Sequence, residues 1–285
     1  MSTLSLVVIC RDHEEFLRKS LESIERQHLL PRQVILVDVA STDGSPKILD
    51  DWSRDFGPAA TLIALQRDQS IVEVIQMVEP MLSEPLVSFL SADDFSSAER
   101  FDVQVKALSQ TPSSVAVCFT DAVAVDYTGR RLRIMRSFPD IGSSEIIEAS
   151  DMMNMLVRKN WIIAPSVMMK TNLVRRFIAE LDPTMPFEDY PLWLSISKSH
   201  DFLYIPQPLV AYRFHAGNTS GKTSAKLEFT RFEVSLLSSI LDAEPQRARH
   251  IRRGALGLLW RSIKLRDISG ARRALTLAKA TFSGD

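Results

Sequence analysis

In the first 95 residues, short continuous apolar runs alternate with stretches in helical spacing, and nothing else in the chain restricts its fold so narrowly. Leu4 to Ile9 and Leu86 to Leu90 read as buried strands, and Gln33 to Asp38 and Thr61 to Leu65 as the strands between them. Between them, Glu14 to Gln27 sets Phe16, Leu17, Leu21 and Ile24 on one face. The other face carries Glu14/Arg18, Glu15/Lys19 and Glu22/Arg26 in the favourable acid-before-base order. Ser45-Pro46 predicts a helix with Ser45 as its cap and proline at its first position, and Ser70 to Leu82 predicts another. This alternation predicts an α/β chain with a mostly parallel sheet covered on both faces.

Beyond Asp94 the texture changes. A helix is expected over about Ala98 to Leu108, then two strands, Val115 to Phe119 and Ala122 to Asp126. Phe138 to Ser150 reads as a loop, and residues 151–159, 171–180 and 192–199 as helices. From Gly221 onward the pattern is helical, broken near Glu244-Pro245. The expected division is therefore a large domain over residues 1–221 and a helical extension over 222–285.

Three patches carry chemistry. The strand ending at Val37-Asp38-Val39-Ala40 runs into Ser41-Thr42-Asp43-Gly44-Ser45, which by itself reads equally as a turn with a helix cap. Leu86 to Leu90 ends in Ser91-Ala92-Asp93-Asp94. Adjacent acids at a strand end repel unless a cation lies between them, although capping of a following helix is the ordinary reading. Phe187-Glu188-Asp189-Tyr190-Pro191-Leu192-Trp193-Leu194 precedes Tyr212-Arg213-Phe214-His215-Ala216-Gly217-Asn218-Thr219-Ser220. Alone, the acids there suit a helix dipole and the histidine a solvated surface.

Together, in this order, the patches resemble the family 2 glycosyltransferases, inverting enzymes of GT-A fold that use nucleotide-sugars. Leu4 to Leu17 and Val37 to Ser45 follow the family's opening strand, helix start and "V-D-D-G-S-T-D-G" loop. Leu90 to Asp94 follows "L-D-A-D-D", and the last two segments follow "F-E-D-Y-D-L-W-L" and "Y-R-x-H-x-x-N-x-S". The resemblance implies that Asp94, with Asp93 beside it, holds Mg²⁺ or Mn²⁺ against the donor diphosphate. His215 completes the metal's coordination or touches the diphosphate. Asp189 is the general base, and Glu188 supports it or contacts the acceptor. Asp38 lines the nucleoside pocket, with Cys10 and Arg11 nearby. The donor is a nucleotide-sugar and the acceptor a glycan or lipid-linked hydroxyl, in cell-surface polysaccharide synthesis. Three departures stand out: Val39 replaces an aspartate that contacts the base, Ser91 replaces the first aspartate of the metal motif, and Ile75 replaces a donor-facing arginine. They favour the rival reading, a non-catalytic relative that binds nucleotide or a partner enzyme. A nucleotidyltransferase would need a Gly-rich basic loop after the first strand, which Cys10-Arg11-Asp12-His13-Glu14 is not.

Composition, at 45% hydrophobic and 24% charged, is that of an ordinary globular protein. Cys10 and Cys118 sit in apolar runs and read as small buried residues of a reducing compartment. No signal peptide or membrane span is legible, so a cytoplasmic location is expected. Residues 222–285 hold 13 Lys/Arg and 6 Asp/Glu, a net of +7, leaving −8 for residues 1–221 from the total of −1. That asymmetry makes an anionic membrane surface a candidate partner and a peripheral position at the inner membrane face an expectation; no nucleic acid is expected. In the tail, Ala248, Ile251, Ala255, Leu258, Leu259 and Ile263 recur at helical spacing, a stripe suited either to a bilayer interface or to packing on protein.

Overall fold

A computed structural model describes residues 4–138, 141–218 and 221–282. Thr219 and Ser220 of the last motif lie outside the described residues. The chain forms two compact units.

The first unit comprises Met1–Ile147, Ile162–Pro183 and His200–Phe214 and holds a ten-stranded sheet. Its strands are β1 (Leu4–Cys10), β2 (Gln33–Val39), β3 (Ala60–Leu65), β4 (Leu86–Ser91), β5 (Phe95–Ser96), β6 (Val115–Val125), β7 (Arg131–Met135), β8 (Glu145–Ile147), β9 (Met168–Lys170) and β10 (Asp201–Arg213). The main order is β3-β2-β1-β4-β9-β6-β10-β5, with β7 on β6 and β8 on β10. β3, β2, β1 and β4 are all parallel, β1 and β2 nearly buried throughout as their continuous apolar runs predict and β3 partly exposed; β9 is antiparallel to both β4 and β6, and β6 and β10 run parallel. Helices α1 (Glu14–Glu25), α2 (Ser45–Phe56), α3 (Ile71–Val78), α4 (Arg100–Ser109) and, after the fifth helix of the chain, α6 (Thr171–Ala179) belong to this unit. This is the α/β arrangement expected.

Three local expectations change. Within Phe138 to Ser150, read as a loop, Glu145–Ile147 forms β8 because its backbone pairs antiparallel with Phe202 to Tyr204 of β10, a distant partner that nothing local announces. The region read as two strands is the single strand β6, because Thr120 and Asp121, which look like a break, are buried within it. The Asp121 carboxylate is satisfied there by the Tyr204 hydroxyl at 2.7 Å and the Ser137 N–H at 3.0 Å. At α2 the capping position falls on Gly44, and Ser45 does not cap. Its hydroxyl instead accepts from the His13 N–H at 3.1 Å, while Asp43 accepts from the Ser45 N–H at 2.9 Å. At α3 the Ser70–Glu73 capping box closes the helix start, and Pro80 turns its end into a 3₁₀ turn. Arg100 is fully buried yet donates to Gln104, Ser96 and Ser88 side chains at 2.9–3.0 Å, tying α4, β5 and β4 together.

The second unit comprises Glu148–Trp161, Thr184–Ser199 and His215–Asp285 and is helical: α5 (Ala149–Leu156), α7 (Asp189–Ile196), α8 (Thr223–Ala243), α9 (Ala248–Lys264) and α10 (Ile268–Ala280). Helices α8, α9 and α10 pack on one another, α9 packs on α5, and α5 on α7. Of the apolar stripe read in the tail, Ala248, Ile251, Ala255 and Leu258 are buried in this unit, whereas Ile263 is exposed. The stripe is thus mainly a packing face. Among the described residues no helix is long and apolar enough to cross a membrane.

Candidate functional site

The parallel strands of the first unit bring the loops that follow β1, β2 and β4 to one edge, the position where open α/β sheets bind ligands. Cys10 of β1 pairs in register with Asp38 of β2, and Ile9 with Ser91 of β4. The loops that follow β1 and β2 interlock. Asp12 Oδ1 accepts from the Thr42 N–H at 2.7 Å, and the Asp12 N–H donates to Ser41 Oγ at 2.9 Å. The Glu14 N–H donates to Asp43 Oδ2 at 2.9 Å, and Glu14 Oε2 accepts from the Gly44 N–H at 2.8 Å. This cross-bracing holds Ala40 at φ 50°, the left-handed region, which explains why the resembling loop carries glycine there. A non-glycine residue in that region costs on the order of 1 kcal/mol.

Asp38 is buried, and its Oδ1 makes no hydrogen bond among the described residues. Cys10 is buried with a thiol pushed up to about 11, chiefly by burial, which disfavours the thiolate. Arg11 is paired with Asp68 at 2.7 Å, both more than half exposed. Val39 and Ile75, the apolar replacements, are buried side chains.

The two acids after β4 have different surroundings. Asp94 is buried, and its Oδ1 accepts the Arg213 N–H of β10 at 2.8 Å. Burial first, then the charge of Asp93, holds its carboxyl well above the usual carboxylate range. Arg213 also donates from Nε to the Asp93 carbonyl at 2.7 Å and from its guanidinium to the Tyr127 carbonyl at 2.8 Å, with the rings of Phe16 and Phe95 beneath it. The turn is therefore clamped to the end of β10. Asp93 Oδ2 lies 3.9 Å from His13 Nε2. A carboxylate and an imidazole at that separation fit two ligands of one divalent ion, with the nitrogen donor favouring Mn²⁺ over Mg²⁺. Sequence reading did not single out His13. The signal was its position three residues past the end of β1, at the same sheet edge as the acids.

The remaining site residues lie in the second unit. Glu188 and Asp189 open α7. Asp189 Oδ1 accepts from the Tyr190 N–H at 2.6 Å, and Oδ2 from the Asn160 amide at 3.2 Å. Burial raises both carboxyls above their ordinary values, and the charge of Asp189 pushes Glu188 further. Phe187 packs edge-on against Phe229 and Phe232 of α8, and the Tyr190 hydroxyl donates to the Leu156 carbonyl at 2.7 Å, fixing the start of α7 from both sides. Glu233 of α8, paired with Arg261 of α9 at 2.7 Å, is close enough for the Asp189 charge to raise it as well, after burial. His215 begins the last segment of this unit. Its N–H donates to Asn218 Oδ1 at 2.5 Å, and its Nδ1 accepts from the Gly217 N–H at 3.2 Å.

Comparison with known proteins bears on the fold and the family. Among curated proteins, a teichoic acid poly(glycerol phosphate) polymerase of Staphylococcus epidermidis is 25% identical over 116 residues, 41% of this chain; the chain spans 16% of that protein. An uncharacterized glycosyltransferase of Haemophilus influenzae is 20% identical over 218 residues, 76% of this chain and 67% of the other. Among solved structures, S. aureus TarS residues 1–349 in complex with UDP-GlcNAc superimposes with a TM-score of 0.63 at 12% identity, over 100% of this chain and 93% of that one. The mannosyltransferase PcManGT of Pyrobaculum calidifontis, in complex with GDP-Man and Mn²⁺, gives 0.61 at 17% identity, over 98% and 75%. The mixed α/β arrangement, a central sheet with helices and a helical C-terminal region, is that of the GT-A fold. The model of glycosyl transferase family 2 matches residues 5–175, from the first strand past the Asp93-Asp94 turn, and the chain belongs to that family.

Proposed function

We propose that this protein transfers a sugar, with inversion, from a nucleotide-diphosphate-sugar to the hydroxyl of a glycan or lipid-linked acceptor in cell-surface polysaccharide synthesis. The carrying observation is the Asp93–His13 pair at the carboxyl ends of β1 and β4, in a chain whose family membership is established. Asp93 and His13 are the first unit's ligands for Mn²⁺ or Mg²⁺, and His215 keeps the metal or diphosphate role that the resemblance gives it. Asp94 works differently from its neighbour, because its Oδ1 secures the turn through the Arg213 N–H. Bound there, a divalent cation supplies positive charge to the departing diphosphate. Asp38 and the interlocked loops form the nucleoside side of the pocket. Asp189 takes the acceptor's proton as the new C–O bond forms and the nucleoside diphosphate leaves with the electrons of the old one. Glu188 supports it or contacts the acceptor. Support for a donor partner comes from the nucleotide-sugar complexes of TarS and PcManGT, and for the pathway from the teichoic acid polymerase.

A second reading, donor binding without turnover, draws on the burial of Val39 and Ile75 in place of polar donor contacts. One set of measurements separates them. Thermal shifts with UDP-, GDP-, dTDP- and CDP-sugars, with and without Mn²⁺, should identify a donor, since binding at about a hundredfold excess over Kd adds roughly 2.7 kcal/mol of apparent stability. Asp93→Asn should abolish the Mn²⁺-dependent part. Asp189→Asn should cut turnover about 10²- to 10⁴-fold while donor binding persists. Donor binding with no turnover in the parent would favour the second reading, and an undiminished rate in the Asp189 variant would remove it as the base.

A further inference from the structure

The exposed face of α9 carries a pattern that sugar transfer does not use. Arg249, Arg253, Leu256 and Trp260 follow one another at spacings of four, three and four residues, so they share one side of the helix. All four are exposed, Trp260 at 66%. The opposite side, with Ala248, Ile251, Ala255 and Leu258, is buried in the helical unit. One end of the outer face is thus cationic and the other apolar and aromatic.

The cationic end is built rather than scattered. Arg158, just past the end of α5, donates from Nε to His250 Nδ1 at 3.0 Å, and Arg249 donates from Nε to His250 Nε2 at 3.0 Å. A neutral imidazole has one acceptor nitrogen and one donor, so it cannot satisfy both guanidinium groups. Among the described residues, neither these two arginines nor Arg253 pairs with a carboxylate. Each of the three lowers the proton affinity of His250, after burial itself. Gly254 makes the crowding achievable. A Cβ there would overlap the Val157 carbonyl, so only glycine lets α9 approach the chain at Val157-Arg158 this closely. The result is a set of converging N–H donors and like charges, the environment that binds a phosphoryl group.

We infer that Arg158, Arg249 and Arg253, gathered around His250, seat the phosphate of an anionic lipid headgroup, with Leu256 and Trp260 entering the bilayer interface beside it. Lipid is favoured over a phosphate in solution because the same helix face continues into exposed apolar side chains, a combination suited to a headgroup above acyl chains. This assignment stands apart from the sugar-transfer reading, since none of these residues belongs to the proposed donor or base sites.

The test uses the full chain and vesicles of phosphatidylcholine, alone or with part replaced by phosphatidylglycerol. The parent should co-sediment with the mixed vesicles and be released as salt rises. The double variant Arg249→Gln/Arg253→Gln, altered only at exposed positions, should keep the parent's melting temperature and bind about 30-fold more weakly, at roughly fivefold per cation. Trp260 fluorescence should shift to the blue on binding, and Trp260→Phe should lose that shift while retaining salt-sensitive binding. Inorganic phosphate, titrated without metal, should compete with the vesicles. Equal binding by parent and double variant, or equal binding to pure phosphatidylcholine, overturns the phosphate seat. Phosphate binding without vesicle binding overturns the lipid source, as does a vesicle-independent dimer that covers Trp260.

Discussion

Asp189 is held by two hydrogen bonds of opposite origin, one from its own helix through the Tyr190 N–H and one from Asn160, 29 residues earlier. Both stabilise the ionised carboxylate, while burial opposes ionisation and wins, leaving the carboxyl above its ordinary value. A general base works only when ionised, so activity should fall as the pH drops through that raised value. The acid limb of the kcat profile is expected above the ordinary aspartate range near 3.9. Asn160→Ala withdraws a donor from the ionised form and should move the limb to still higher pH, lowering kcat at neutral pH with donor KM unchanged. A limb that stays in place would show that Asn160 does not orient the base. At this scale the sequence exposes part of the candidate site. Asp93, Asp94, Glu188 and Asp189 are legible because acids beside apolar runs are conspicuous. The division of labour between Asp93 and Asp94 is not, because it rests on Arg213, about 120 residues away along the chain. His13 is hidden for the same reason: nothing local distinguishes it from a loop histidine.

Elements are legible where local chemistry decides them and obscure where a distant partner does. β1, β2 and β4 announce themselves by unbroken apolar runs, and α3 by the Ser70–Glu73 capping box. β6 does not, since Asp121 needs Tyr204, 83 residues on, to be at ease in a sheet interior. The start of α10 combines both cases. Asp267 caps it by accepting the Gly270 N–H at 3.0 Å, a local device, and also takes both arms of Arg231 from α8 at 2.9 Å, a distant one. These contacts, the Arg231 hydrogen bond foremost, hold its carboxyl at about 2, below the ordinary value of 3.8. A depressed acid contributes stability that is present above its unfolded pKa and lost as pH falls toward the folded one. Asp267 should therefore stabilise the helical unit fully above about pH 4 and progressively less down to about pH 2. Asp267→Ala should cost roughly 1–2 kcal/mol at neutral pH through the lost cap and pair. Urea unfolding at pH 6 and at pH 3 checks this, with the gap between parent and variant narrowing at the lower pH. A constant gap would mean that the cost is packing alone.

Across the whole molecule, the charge asymmetry read from sequence is partly consumed by structure. Arg231, Arg247 and Arg261 of the basic region pair with Asp267, Glu244 and Glu233. With 13 cations against 6 acids after residue 221, pairing cannot neutralise the rest, and Arg249 and Arg253 remain on the surface. Packing in the helical unit was less legible than charge, because its core is assembled from three separate stretches of chain. Val234, Leu237 and Ile240 of α8 and Ile251, Ala255 and Leu258 of α9 are buried there, as are Met152, Met153 and Leu156 of α5 and Leu192, Trp193 and Leu194 of α7. Since α9 packs on α5 and α5 on α7, a chain ending at Gly221 would lose the cover of α5 while keeping its apolar face. Exposed patches of that kind, beyond a few hundred Å², bind dyes and drive association. The fragment of residues 1–221 should accordingly bind a hydrophobic dye strongly, associate as its concentration rises, and lack a cooperative transition for the helical unit. The full chain should do none of these. A monomeric, dye-silent fragment would mean that α5 and α7 find their cover without the C-terminal helices.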